Sequence, residues 1–302
     1  MEKKQEDEFR EKQEKQLKDS FQKVLNTHGF GFQYAVIEAA GNLYRCQKSA
    51  WFFEVTEFPV SVQGESTHID FILNRRQLDA PHNGKSCLLI AECKRVNPAL
   101  SNWCFVRAPY TKSTGLSNCL ILEGINESEG ATINRFFSST RIIPTSTNNF
   151  FHIDFEIRSN ETGESFSKGR GAIKEAIAQV LRGLNGFIEF SKNNYFWLSK
   201  SKNTYFLPVI FTTAELWTSD CDLSLASLEK GNIDFSSADL TPRPWIYFQY
   251  NQSPSLKHSF LKPSGSFDLS TVMENEFTRT IAIVNQSGIE DFLTQSSYMI
   301  LP

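Results

Sequence analysis

Apolar and polar residues alternate most plainly along Ser86–Arg95, SCLLIAECKR. Leu88, Ile90, Glu92 and Lys94 fall on one face of an extended chain; Cys87, Leu89, Ala91 and Cys93 fall on the other. Both faces stay apolar until the last residues, the pattern of a central strand covered on both sides. That strand ends by turning two charges, Glu92 and Lys94, the same way, roughly 7 Å apart. Thr67–Asn74 reads as a second strand, with Ile69, Phe71 and Leu73 on one face and His68, Asp70 and Ile72 on the other. Between them, Arg75–Lys85 holds Asp79, Pro81, Asn83 and Gly84, which are turn formers. The pair is therefore expected as an antiparallel hairpin with Asp70 beside Glu92. Trp51–Val62 reads as a strand before it, with Phe53, Val55 and Phe58 on or near the core.

Helical periods flank these strands. Residues 1–28 read as a charged helix with a thin apolar stripe of Phe9, Leu17, Phe21, Val24 and Leu25. Asn26–Gly31, with two glycines, breaks it, and Phe32–Lys48 reads as a second helix carrying Glu38. Lys168–Lys192 is the clearest helix: Ile173, Ile177, Val180, Leu181, Leu184 and Ile188 recur at helical spacing, and Glu175, Gln179, Arg182 and Gly186 make a second face. Leu120–Glu123, Phe150–Arg158, Thr204–Leu216, Pro244–Tyr250 and Thr278–Val284 read as further strands, and Gly288–Gln295 as a short closing helix. Pro208 inside Thr204–Leu216 hints at a bend or an edge position. The whole reads as one α/β domain over 29–302 behind an N-terminal helix at 1–28. Residues 96–165 read as an insertion after the charged strand, and the C-terminal part is elaborated.

Composition bounds the chemistry. The chain has 302 residues, 40% hydrophobic and 22% charged, enough for a large core. The start, MEKKQEDEFREK, is too charged for a signal peptide, and no apolar run reaches the ~18–20 residues of a membrane span. Six cysteines stand singly without a C-x-x-C pair, which argues against a zinc ribbon and for reduced core thiols in a cytoplasmic protein. Net charge is −3, unusual for a free-standing high-affinity DNA binder, although a local patch suffices. Gly84-Lys85-Ser86 fails as a P-loop, because Asp79 stands where glycine is needed and a strand follows. Neither G-x-G-x-x-G, G-x-S-x-G nor H-E-x-x-H occurs. His152-Ile153-Asp154-Phe155 repeats the tetrapeptide at His68, but it continues to Glu156-Ile157-Arg158 and no matching hairpin follows.

Charges gathered at the lip of a core require pairing or a metal. Asp70, followed by Glu92-Cys93-Lys94 at the end of an apolar strand, resembles the PD-(D/E)xK superfamily of restriction-endonuclease-like nucleases. Ile69 stands where that motif has its proline. The resemblance is tight over residues ~31–95 and looser to about 215. It implies a restriction-endonuclease-like core, a mixed central β-sheet flanked by helices. It implies a Mg²⁺ cofactor, with Mn²⁺ as substitute, held by Asp70, Glu92 and the Cys93 backbone carbonyl, with Lys94 at the reacting water or phosphate. Members often carry a glutamate on the helix before the hairpin and a glutamine on the helix after it; Glu38 and Gln179 occupy suitable places, Glu38 as a further candidate ligand. The expected activity is phosphodiester hydrolysis, most simply of DNA, with RNA as the other substrate and a defence or restriction-type role. The alternative is a non-catalytic subunit of this fold in a defence or repair assembly. Arg95, Arg107 and Lys112, with Arg135 and Arg141, are candidates for phosphate contact. The N-terminal helix is a candidate surface for a homodimer or a partner protein.

Overall fold

The computed structural model describes residues 2–27, 29–62, 64–75, 85–96, 102–107, 120–128, 134–142, 150–157, 171–193, 203–233, 239–251 and 278–299. Helix α1 (Glu2–Thr27) is followed by Gly29, whose φ of 75° is left-handed and separates it from α2 (Phe30–Arg45). The buried stripe of α2 is Gln33, Val36, Ala40 and Leu43, a spacing of three, four and three residues.

Strands β1 (Trp51–Val62), β2 (Glu65–Arg75) and β3 (Lys85–Lys94) form an antiparallel meander. The predicted hairpin is present; its turn residues 76–84 lie outside the described residues. Next to β3 lies β9 (Asn203–Thr212), parallel to it over the full length from Lys85 opposite Asn203 to Lys94 opposite Thr212. The other edge of β9 is shared. Strand β5 (Leu120–Ser128), itself a hairpin with β6 (Asn134–Ile142), runs antiparallel to Asn203–Phe206. Strand β13 (Thr278–Asn285) runs parallel to Val209–Thr212. Then come β12 (Trp245–Asn251), antiparallel to β13, and the two-residue β7 (Phe150–Phe151). The result is a mixed central sheet in the order β1-β2-β3-β9-β13-β12-β7, with β5–β6 attached to β9.

Pro208 stands in the middle of this sheet and not at an edge as its chemistry hinted. It falls with Leu207 in the gap between the stretch paired with β5 and the stretch paired with β13. On that side there is no ladder for its missing N–H to interrupt.

Two single-strand readings divide. Thr204–Leu216 becomes β9 and β10 (Glu215–Ser219), because the chain bends after Thr212, whose Oγ1 accepts the Ala214 N–H at 3.0 Å. Phe150–Arg158 becomes β7 and β8 (Ile153–Ile157), which break at His152. Strands β8 and β10, with β4 (Asn102–Val106) and β11 (Thr241–Arg243), make a second, four-stranded sheet in the order β11-β10-β4-β8. The stretch 96–165 thus contributes strands to both sheets.

Helices cover both faces of the central sheet, so the molecule is α/β with a mixed sheet flanked by helices. On one face α2 and α4 (Ile289–Ser296) close over Phe71, Leu89, Val209 and Phe211. On the other, α3 (Ala172–Asn193) buries Leu184, Phe187 and Ile188 against Ile72, Leu88, Ile90 and Phe206. The small sheet extends that layer through Trp103, Phe105 and Leu216, packed with Ile210 and Ile283. The alternation read along β3 is kept: Cys87, Leu89 and Ala91 belong to the first core, Leu88 and Ile90 to the second.

Close approach of α3 to the sheet depends on missing side chains. A Cβ at Gly186 would stand 2.6 Å from Val60 Cβ, and one at Gly183 3.0 Å from Ile69 Cγ1. Gly186→Ala is expected to cost about 1–3 kcal/mol of stability, read from the urea midpoint. Gly31→Ala, on an exposed position of α2 with nothing within 4 Å of the added carbon, is expected to be neutral or to gain up to about 1 kcal/mol. Equal behaviour of the two variants would show that this contact does not seat α3.

Candidate functional site

Besides a register shift between Phe53 and Val55, the central meander loses its pairing where three acids meet. In β1 and β2, Thr56 pairs with Phe71 and Phe58 with Ile69, but Glu57 and Asp70 between them do not pair. Between β2 and β3 the paired register stops at Phe71 opposite Ala91, one residue short of Asp70 and Glu92. Glu57 has a φ of 50°, a left-handed conformation that L side chains other than Asn and Asp rarely take. Both strands shift parity here. Val55 and Phe58, three residues apart, contact the same core, as do Ile69 and Ile72. Three carboxylates from three adjacent strands, Glu57, Asp70 and Glu92, consequently stand in a row where strands lie about 4.8 Å apart.

Side chains replace the lost ladder. Asp70 Oδ2 accepts the Cys93 N–H at 2.6 Å, so a carboxylate does the work of a neighbouring carbonyl. The freed Asp70 carbonyl accepts from Thr56 Oγ1 at 2.8 Å and from Gln33 Nε2 at 2.9 Å. Gln33 Nε2 also donates to Glu57 Oε1 at 2.7 Å and to Thr56 Oγ1 at 3.0 Å. Gln33 is only 4% exposed, so one buried amide from α2 ties together β1 and β2 where their own pairing fails.

The row lines a cavity of about 350 Å³. Gly29, Phe30 and Gln33 form one wall, so the positive end of the α2 dipole opens onto it. Cys93, Lys94, Arg95 and Gln179 complete the lining. Lys94 Nζ reaches across to α3 and donates to Gln179 Oε1 and Glu175 Oε2, both at 3.3 Å. These two acceptors lie one helical turn apart, which aims them at the same point.

Electrostatics separate the members. Burial pushes the Asp70 carboxyl up to about 6; the Cys93 N–H opposes this, the Glu57 charge adds to it, and Lys94 opposes it. Burial raises Glu92 further, to about 8, reinforced by Asp70, opposed by Lys94 and reinforced again by Glu57. Glu92 is 8% exposed and accepts no hydrogen bond from any described residue. The Lys94 ammonium is the charge that offsets it. The Cys93 thiol is pushed well up, first by burial and then by the surrounding carboxylates, which argues against thiolate nucleophile chemistry. Oxygen donors with a lysine alongside suit a hard divalent cation such as Mg²⁺. Among the described residues, no three His, Cys, Asp or Glu side chains are gathered closely enough to enclose a metal by themselves.

Of the residues expected from sequence, Asp70, Glu92, Cys93, Lys94, Arg95 and Gln179 come together at this cavity. Glu38 does not. It is exposed and pairs with Arg45 at 2.8 Å. Five residues from Gln33, it points roughly 140° away around the helix. Arg107 lies elsewhere, against Asp220 at 3.6 Å and over the Phe151 ring. Lys112 lies outside the described residues, as do the side chains of Arg135 and Arg141. His68 is exposed and does not line the cavity.

Sequence reasoning missed Gln33 and Glu57. Both carry a signal: Gln33 interrupts the apolar stripe of α2, and Glu57 continues the row of Phe53 and Val55. Comparison of the chain with models of protein families, with curated proteins and with solved structures finds no match.

The raised carboxyls have a stability consequence. Asp70 and Glu92 hold protons in the folded chain at pH values where the unfolded chain has released them. Their favourable contribution is therefore complete below about pH 4 and lost as pH rises through about 6 to 8. With chelator present, stability is expected to fall by about 1–3 kcal/mol between pH 5 and pH 8 from this source. Glu92→Gln should flatten that slope in thermal melts. An unchanged slope in the variant would place the charges in a solvated site.

Proposed function

We propose that this protein is a metal-dependent nuclease with a restriction-endonuclease-like core, hydrolysing phosphodiester bonds of DNA. One observation carries the reading. The Asp70 carboxylate is bonded to the Cys93 N–H, so it is locked beside Glu92-Cys93-Lys94, and all four residues line one cavity. The Glu92 carboxyl, buried and without a hydrogen-bond donor among the described residues, supports a cation there, because a divalent ion adds to the positive charge of Lys94.

In this reading Asp70 and Glu92 hold the cation, with the Cys93 carbonyl as the third protein donor. A bound Mg²⁺ supplies an acidified water and offsets charge on the phosphate. Lys94 supplies a donor for the attacking water or for the non-bridging phosphate oxygen, where negative charge grows in the transition state. Gln179 and Glu175 keep the ammonium on the α3 side of the cavity, so that it approaches the substrate from a fixed direction. The α2 N-terminus and Arg95, together with Lys94, are the positive features of the lining, and they suit a phosphate. A net charge of −3 implies few phosphate contacts per chain, hence weak and salt-sensitive binding by a single protomer. A defence or restriction role is the biological setting this chemistry fits.

Plasmid DNA incubated with purified protein should be cut in Mg²⁺ or Mn²⁺, bound without cutting in Ca²⁺, and left intact in EDTA. Asp70→Asn should reduce cutting to background while the apo protein melts at the same temperature or higher, since one of two crowded like charges is gone. Lys94→Ala should slow cutting by about 10²–10³-fold. Undiminished cutting in EDTA would remove the metal mechanism. A folded protein that binds DNA and never cuts it under any of these conditions would leave the non-catalytic reading in its place.

A further inference from the structure

We infer that Glu57 is a third carboxylate of the cation site, acting through the water shell of the ion, and that Gln33 is the residue that positions it. The inference rests on the reading of Asp70 and Glu92 as cation ligands and adds a residue that the sequence motif does not contain.

Four observations converge on it. First, Glu57 lines the same cavity as Asp70 and Glu92 and stands beside Asp70 on the strand opposite Glu92. Second, its backbone is held in a left-handed conformation, φ 50°, which costs about 1–2 kcal/mol for a residue of this type. Such a conformation persists when the surroundings enforce it. Third, the buried Gln33 amide bonds both the Glu57 carboxylate and the Asp70 carbonyl, so the two acidic residues are set by one side chain. Fourth, Glu92 is nine-tenths buried, lines the cavity and accepts no hydrogen bond from the described protein. That last group faces the cavity with no hydrogen-bond donor on it among the described residues.

The role follows from placement. The three carboxylates are not gathered closely enough to enclose an ion directly. Mg²⁺ keeps several waters when bound by one or two carboxylates. Asp70 and Glu92 would then supply the direct oxygens, and Glu57 would accept hydrogen bonds from water held by the ion. Glu38, the acid of α2, does not line the cavity and pairs with Arg45. The strand β1 supplies the group instead, at the point where its pairing opens.

The test measures cation binding directly, without reference to cutting. Mn²⁺ affinity of the full-length protein is followed by electron paramagnetic resonance, with Ca²⁺ affinity by calorimetry, for wild type, Glu57→Gln and Glu54→Gln. Glu54 lies on the same strand, bonds Asn74 and does not line the cavity. Glu57→Gln should weaken Mn²⁺ binding by roughly tenfold or more. It should leave the melting temperature in EDTA unchanged or raised, because a like charge is removed. Glu54→Gln should leave affinity unchanged. Gln33→Leu should also weaken Mn²⁺ binding, with a loss of melting temperature that Glu57→Gln does not share. Wild-type affinity in Glu57→Gln would overturn the inference while leaving Asp70 and Glu92 as ligands. A drop in apo melting temperature with unchanged affinity would make Glu57 a structural acceptor for Gln33 and also overturn it. Absence of any cation binding by the wild type would instead remove the metal reading on which the inference stands.

Discussion

The hydrogen bond from the Cys93 N–H to the Asp70 carboxylate is the contact on which the rest of the site depends. It occurs where a β-ladder would place a backbone carbonyl. Substituting a side chain for that carbonyl turns the Asp70 backbone oxygen toward Thr56 and Gln33. The sheet thus opens on one side without leaving a buried N–H unpaired, and the space so made is the cavity. Burial then raises the carboxyls, and a lysine from the end of the same strand limits the rise. Position, charge and space all derive from one exchange of hydrogen-bond partners.

Around that opening the fold supplies rigidity from three directions. Below it are two apolar cores on opposite faces of a sheet in which β3 and β9 pair over ten residues. From one face, α2 inserts Gln33. From the other, α3 presents Glu175 and Gln179 to Lys94, and it approaches closely because Gly183 and Gly186 carry no side chain at the contact. Each helix therefore contributes one polar grip on the same few residues while its apolar side holds it to the sheet. A site assembled this way relies on regular elements for its geometry, which suits chemistry that needs groups fixed within fractions of an ångström.

How much of this the sequence disclosed follows from the range of each interaction. The β2–β3 hairpin and the faces of β3 were legible because a period of two with apolar residues on both faces leaves one reading, and Asp70, Glu92 and Lys94 fall out of it. Gln179 was legible because α3 has a clean helical period. Glu57 was not, because the parity of β1 shifts between Val55 and Phe58 and no local rule announces a left-handed glutamate within a strand. Glu38 attracted the role because it is an acid on the right helix. Its angular distance from Gln33 matters only once the buried side of α2 is known. The second sheet was hidden for a different reason: β4 pairs in parallel with β10, more than a hundred residues later, and the bend at Thr213 that separates β10 from β9 carries neither Gly nor Pro.

The parallel pairing of β3 with β9 has a kinetic meaning as well. Ser86 and Thr204, joined through their hydroxyls at one end of that pair, are 118 residues apart in the chain. The hairpin that carries Asp70 and Glu92 joins strands adjacent in sequence, whereas the seat of Lys94 on α3 and the neighbour that pairs with β3 come from much later in the chain. Loop closure of this length is entropically slow, and strands of this kind are among the last to settle. In a chain synthesised only as far as β3, Asp70 and Glu92 are both present while Lys94 lacks its α3 partners and β3 lacks β9. A truncated product that ends before α3 and β9 therefore holds Asp70, Glu92 and Lys94 without the neighbours that seat them.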